Sequence, residues 1–219
     1  ATKANEQKAL IAQTADATTE EKEQANQQVD AQLTQGNQNI ENAKSIDDVN
    51  TAKDNAIQAI DPIQASTDVK TNARAELLTE MQNKITEILS DNTTTNEEKG
   101  KDIEPVRAAY EEGLNNINAA TTTGDVTTAK DTAVQKVQQL HANPVKKPAG
   151  KTELDQAAAD KKTQIEQTPN ASQQEINDAK QEVDAALNQA KTNIDQSSTN
   201  EYVDNAVKEG KAKINAVKT

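Results

Sequence analysis

Three stretches of equal length decide the fold: TTEEKEQANQQVDAQLTQGNQNI at Thr18–Ile40, TNEEKGKDIEPVRAAYEEGLNNI at Thr95–Ile117 and SQQEINDAKQEVDAALNQAKTNI at Ser172–Ile194. In the first, Ala25, Val29, Leu33, Gly36 and Ile40, followed by Ala43, step by four or three residues and lay one apolar stripe along a helix. The second carries Ile103, Val106, Tyr110, Gly113, Ile117 and Ala120 in the same spacing, and the third Ile176, Ala179, Val183, Leu187, Ala190 and Ile194. Each stretch opens on S/T-x-x-E, as Thr18 with Glu21, Thr95 with Glu98 and Ser172 with Glu175. This is the capping box, in which hydroxyl and carboxylate satisfy the unpaired N–H groups at a helix start. The three glutamates are therefore read as caps and not as catalytic acids.

Working outward, the register of 77 residues holds without insertions through flanking segments. Ile11, Ile88 and Ile165 align, as do Val29, Val106 and Val183, then Val49, Val126 and Val203, then Ala52, Ala129 and Ala206. Biased but disordered sequence has no reason to keep such a register. A later segment repeats the helical pattern with Val49, Ala52, Ala56 and Ile60, introduced by Ser45 with Asp48 and, in the second copy, Thr122 with Asp125. An earlier one carries Leu77, Met81, Ile85 and Ile88, matched by Leu154, Ala158 and Ile165. The fold class expected is all-α, a tandem array of three-helix, up-down-up bundles, since period-2 alternation is absent.

Prolines place the repeat edges at 1–65, 66–146 and 147–219, with Asp61-Pro62 closing the first and a linker from Pro144 through Pro148 to Gly150 closing the second. Pro105 is expected to kink the middle helix of the second repeat or to delay its start. An odd helix count makes the chain enter a bundle at one end and leave at the other, so units add end to end. With a middle helix of roughly 40 Å, three units predict a rod on the order of 100 Å or more.

Composition alone points elsewhere. Leu, Ile and Val number 35 among 219 residues, Phe, Trp and Cys are absent, and the formal charge is −12, which is the signature of a chain too poor in apolar surface to fold. The stripes resolve the conflict, because nearly all the large apolar residues fall on them and 34 alanines let the helices approach closely. Bundles built this way should be only marginally stable one by one. The acidic balance opposes nucleic-acid binding, and no apolar run is long enough for membrane insertion.

The remaining motifs carry no chemistry. Gly150-Lys151-Thr152 resembles the end of a phosphate-binding loop, but Val145 stands where that motif needs glycine. His141 is the only histidine, so no His-based zinc site or catalytic triad can form. The pairs Glu20-Glu21, Asp47-Asp48 and Glu111-Glu112 lack the spacing of a calcium loop and read as caps and solvated faces. Asn92-Thr93-Thr94 and Asn170-Ala171-Ser172 match the glycosylation pattern but coincide with interhelical turns. The asparagine column Asn39, Asn116 and Asn193 is expected to fix bundle register through a buried or half-buried hydrogen bond. Tyr110 shares a core column with Leu33 and Leu187, whereas Tyr202 has no counterpart. No catalytic, cofactor-binding or metal site is expected, and no small-molecule substrate.

The stretch from Lys151, KTELDQAAADKKTQIEQTPNASQQEINDAKQEVDAALNQAKTNIDQSSTNEYVDNAVKEGKAKINAV, resembles the SasC/Mrp/FmtB intermediate domain, a repeat of staphylococcal cell-wall-anchored surface proteins. The first two copies depart from it at Met81, Ile85 and Pro105. The resemblance implies an extracellular location at the bacterial cell wall, a parent associated with adhesion, aggregation, biofilm formation and, in one member, methicillin susceptibility, and no established site in the repeat. The leading expectation is a structural stalk whose partners are neighbouring repeats of the same chain, the fragment being monomeric. The alternative is a binding module for a host matrix or serum protein, or for homophilic contact between cells.

Overall fold

The computed structural model describes residues 1–219 and holds nine α-helices and no strand. They are α1 (Thr2–Ala12), α2 (Thr19–Glu41) and α3 (Ile46–Ile60) in the first repeat, and α4 (Asp68–Ser90), α5 (Asn96–Ala119) and α6 (Thr123–Gln138) in the second. The third contains α7 (Lys146–Glu166), α8 (Gln173–Asp195) and α9 (Asn200–Asn215). Three helices per repeat, with the long one in the middle, is the all-α tandem array that the stripes predict.

The chain forms two compact units, residues 1–81 with 108–138 and residues 82–107 with 139–219, and the division passes through α4 and α5. In the first unit, α1, α2 and α3 pack pairwise around Ala4, Ile11, Ala25, Val29 and Ile60. A second cluster in the same unit joins Ala73 and Leu77 of α4 to Ile117 of α5 and to Val126 and Ala133 of α6, with Tyr110 packed against it. In the second unit, α7, α8 and α9 pack pairwise around Leu154, Ile165, Val183, Ile194, Val203 and Ile214.

So thin a core closes because the second and third helices touch through small residues. A Cβ added to Gly113 would lie 2.3 Å from Ala133 Cβ, and one added to Gly210 would lie 2.6 Å from Ala190 Cβ. The glycine sits on the second helix in one repeat and on the third in the other, so the crossing needs one Gly and one Ala, whichever side bears the glycine. Bringing backbones this close recovers packing that larger side chains would otherwise supply.

Two expectations are corrected. Pro148 and Gly150 do not lie in a linker, because α7 already starts at Lys146. Pro148 occupies its first turn, where an N–H has no intrahelical partner to lose. Gly150 is buried, and a Cβ there would lie 3.2 Å from Ile194 and 3.3 Å from Val203. Nor is the start of α5 delayed to Pro105, since the helix runs from Asn96 through that residue to Ala119.

Candidate functional site

Where one repeat meets the next, carboxylates and a lysine of one repeat satisfy backbone groups of the other. Helix α7 begins without a side-chain cap of its own at Val145. Its acceptor comes from the preceding repeat: Glu98 Oε1 accepts the backbone N–H of Val145 at 3.2 Å and of Lys146 at 2.6 Å. The other oxygen, Oε2, accepts the N–H of Thr95 at 3.1 Å, while the N–H of Glu98 donates to Thr95 Oγ1 at 3.3 Å. One carboxylate thus completes its own capping box and also starts the first helix of the next repeat. Seventy-seven residues earlier Glu21 does the same, taking the N–H of Thr18 at 2.9 Å on Oε1 and that of Val69 at 3.3 Å on Oε2.

The neighbouring carboxylates cap a second helix each. Glu97 Oε2 accepts the N–H of Asn200, the first residue of α9, at 2.9 Å, and Glu20 Oε2 accepts that of Thr123, the first residue of α6, also at 2.9 Å. Thr95 Oγ1 donates to Asn200 Oδ1 at 2.7 Å, and the hydroxyls of Thr18 and Thr123 meet at 3.1 Å. Backbone bonds repeat likewise, from Asn96 N–H to the Ser198 carbonyl at 2.8 Å and from Thr19 N–H to the Thr121 carbonyl at 2.9 Å.

A buried lysine closes each junction from the other side. Lys147, only 4% exposed, donates from Nζ to the carbonyls of Asn92 at 2.7 Å and Asp195 at 2.8 Å. Lys70, 3% exposed, donates to the Asn118 carbonyl at 2.9 Å. Asp195 ends α8 and Asn118 lies in the last turn of α5, so each ammonium sits where unpaired carbonyls and the helix dipole favour a cation.

The charges respond to these surroundings. The N–H groups of Asn200 and Thr123 hold Glu97 and Glu20 below the usual glutamate range. Burial pushes Glu21 upward, but the N–H groups of Thr18 and Val69 outweigh it and its carboxyl also lies low. Desolvation lowers the Lys147 ammonium, partly opposed by Asp195. An open cavity of about 540 Å³ beside the second junction is lined in part by Pro144, Lys147, Lys151 and Asp195. Both of its ammonium groups are engaged, Lys147 by carbonyls and Lys151 by Asp195.

The residues singled out in sequence fall as follows. Glu21, Glu98 and Glu175 all close capping boxes. Gly150, Lys151 and Thr152 lie within α7, where Thr152 bonds back to the Pro148 carbonyl, so they form no phosphate loop. His141 is exposed, with Nδ1 2.9 Å from the Ala142 carbonyl. Asp48 supplies its N–H to Ser45, and Glu112 pairs with Lys136. The asparagine column fixes no register: Asn39 and Asn116 are exposed, and Asn39 and Asn193 only accept from Gln35 and Gln189 one turn earlier on the same helix. Sequence spacing places Glu20 only among caps and solvated faces and does not single out Glu97, Lys70 or Lys147, although both pairs recur at 77 residues.

Comparison with known proteins agrees with the repeat register. The model of the family DUF1542, Domain of Unknown Function (DUF1542), matches residues 1–68, 69–145 and 146–219. The extracellular matrix-binding protein EbhA of Staphylococcus aureus strain Newman is 26% identical over 158 residues, covering 72% of this chain and 5% of that protein. The extracellular matrix-binding protein ebh of Staphylococcus aureus strain NCTC 8325 / PS 47 shows the same identity over the same share of this chain, which covers 2% of it. The chain thus spans only a small fraction of the length of these relatives. No solved structure matches it.

Proposed function

We propose, from the premise that this chain belongs to the DUF1542 family, whose model matches 1–68, 69–145 and 146–219, that its repeats are the mechanical links of a surface-protein stalk, with the sequence-derived boundaries 1–65, 66–146 and 147–219 moved by one to three residues to those. The observation that carries this reading is the duplicated interlock, in which carboxylates of one repeat cap two helices of the next. Sharing caps makes the relative placement of adjacent bundles a condition for satisfying their backbones, which is what a spacer needs. The likeness to staphylococcal extracellular matrix-binding proteins supports an extracellular setting for the repeat region. The finer likeness to the SasC/Mrp/FmtB intermediate domain, with attachment to the cell wall and a contribution to aggregation and biofilm, belongs to the same proposal. No catalytic role is assigned.

Small-angle scattering tests the stalk. A globule of this length has a radius of gyration of about 17 Å. The expected value is well above that, and one near it overturns the reading. A second reading, favoured by the relatives' names, makes the repeats a binding module for host matrix protein; saturable capture of residues 1–219 on immobilised matrix proteins would support it.

A further inference from the structure

The two junctions supply a control for each other at one cavity. At the first, Arg74 holds the Asp16 carboxylate through Nη1 and Nη2 and reaches Asn118 through Nη1. The hollow around the neighbouring Ala15, Lys70 and Asn118 measures about 250 Å³. Seventy-seven residues on, Lys151 replaces Arg74 and Thr93 replaces Asp16. The contact to Asn118 has its counterpart in the ion pair of Lys151 with Asp195, but no carboxylate stands in the place of Asp16, and the Thr93 hydroxyl donates to Asp91. The cavity there opens to about 540 Å³ and is lined by both Thr93 and Lys151, with Asn92, Lys147, Pro144 and Pro148.

We propose that this cavity binds a carboxylate from outside the chain, seated where the Asp16 carboxylate sits at the first junction and carried on a small aliphatic body. Charge and shape select that class. An ammonium has three N–H donors. Lys147 places two of them on the carbonyls of Asn92 and Asp195, and Lys151 pairs with the Asp195 carboxylate, so both keep donors for a further acceptor. Burial disfavours the Lys147 ammonium, and a further anion beside it offsets that effect. Asp195 lines the same cavity, so a single negative charge is favoured over the double charge of a phosphate. The walls at Pro144 and Pro148 are apolar where the first junction has Thr67 and Thr71, and they remove the ligand's aliphatic body from water.

The test titrates the full chain at constant ionic strength with sodium isovalerate and with acetyl-Gly-Leu as its free acid, each against its uncharged amide, and follows backbone amide signals by NMR. Saturable shifts at Thr93, Lys147 and Lys151 are expected with the carboxylates alone, at concentrations on the order of 1 mM. A response to both acids assigns the site to carboxylates in general, and a response to the peptide acid alone assigns it to chain termini. Thr93→Asp, which returns a carboxylate from the chain itself, should weaken binding by about tenfold or more, and Lys151→Gln likewise. No shift, equal shifts with the amides, shifts reproduced by sodium chloride or sodium phosphate, or undiminished binding in either variant overturns the proposal.

Discussion

The junction between the first and second repeats and the junction between the second and third share one set of bonds and differ in another. Backbone-capping groups recur at both: Glu20 and Glu97, Glu21 and Glu98, Lys70 and Lys147. Side-chain pairing recurs only in part. Arg74 grips Asp16 through Nη1 and Nη2 and also reaches Asn118 at the first junction; at the second, Lys151 keeps the matching contact, to Asp195, but Thr93 stands where Asp16 would pair, so the bidentate ion pair is lost. The difference follows from energetics. A buried N–H or carbonyl left without a partner costs about 1–3 kcal/mol, while a partly exposed ion pair contributes about 1 kcal/mol or less. Groups that satisfy the backbone are held in register, and the contact that is lost is the partly exposed ion pair of Arg74 with Asp16.

The sharpest way to break the comparison is Glu98→Ala. It strands the N–H groups of Thr95, Val145 and Lys146 together, and the expected loss is about 2–3 kcal/mol in denaturant titration, with amide exchange fastest in the first turn of α7. A loss confined to the start of α5 would show that the cross-repeat bonds contribute nothing. Lys147→Met and Lys70→Met come next. The first uncouples two carbonyls and the second one, so Lys147→Met should cost about 1–2 kcal/mol and Lys70→Met roughly half of that. Equal losses would mean that buried stem packing, and not carbonyl capping, sets the effect.

Acid separates the shared bonds by another route. Glu20 and Glu97 have folded-state values below the ordinary 4.5, so their stabilisation is complete above that value and disappears as pH falls through the lower folded one. Melting temperatures followed between about pH 6 and pH 3 should drop most steeply below pH 4.5, and the double variant Glu20→Gln, Glu97→Gln should flatten that part of the curve. Coincident curves would remove these two groups from the acid response. Asp16→Asn should have the smallest effect, under about 1 kcal/mol and smaller still in high salt, because the pair is partly exposed.

These bonds mark the limit of what the sequence discloses. Stripes and capping boxes are local, with every partner within one or two helical turns, so α2, α5 and α8 and their glutamates are legible from spacing alone. The start of α7 has no such local mark, because its acceptor, Glu98, lies 48 residues before Lys146 and is already explained by its own box. The start of α9 is obscured differently: Thr199 caps it through the N–H of Tyr202, where the other repeats carry Asp48 and Asp125. The asparagine column misled for the opposite reason, since recurrence was read as a bond between helices where Asn39 and Asn193 bond only within their own helix and Asn39 and Asn116 face water. Pro148 and Gly150 misled because they mark breaks in most sequences, whereas here one fits a first turn and the other a tight helix contact.

The shared carboxylates also give assembly a direction. Glu21 precedes Val69 in the chain by 48 residues, and Glu98 precedes Lys146 by the same interval, so a polypeptide appearing N-terminus first presents each cap before the helix that needs it. The traffic is not one-way, since the N–H groups of Thr19 and Asn96 wait for the carbonyls of Thr121 and Ser198 in the following repeat, so each repeat starts its successor and is finished by it.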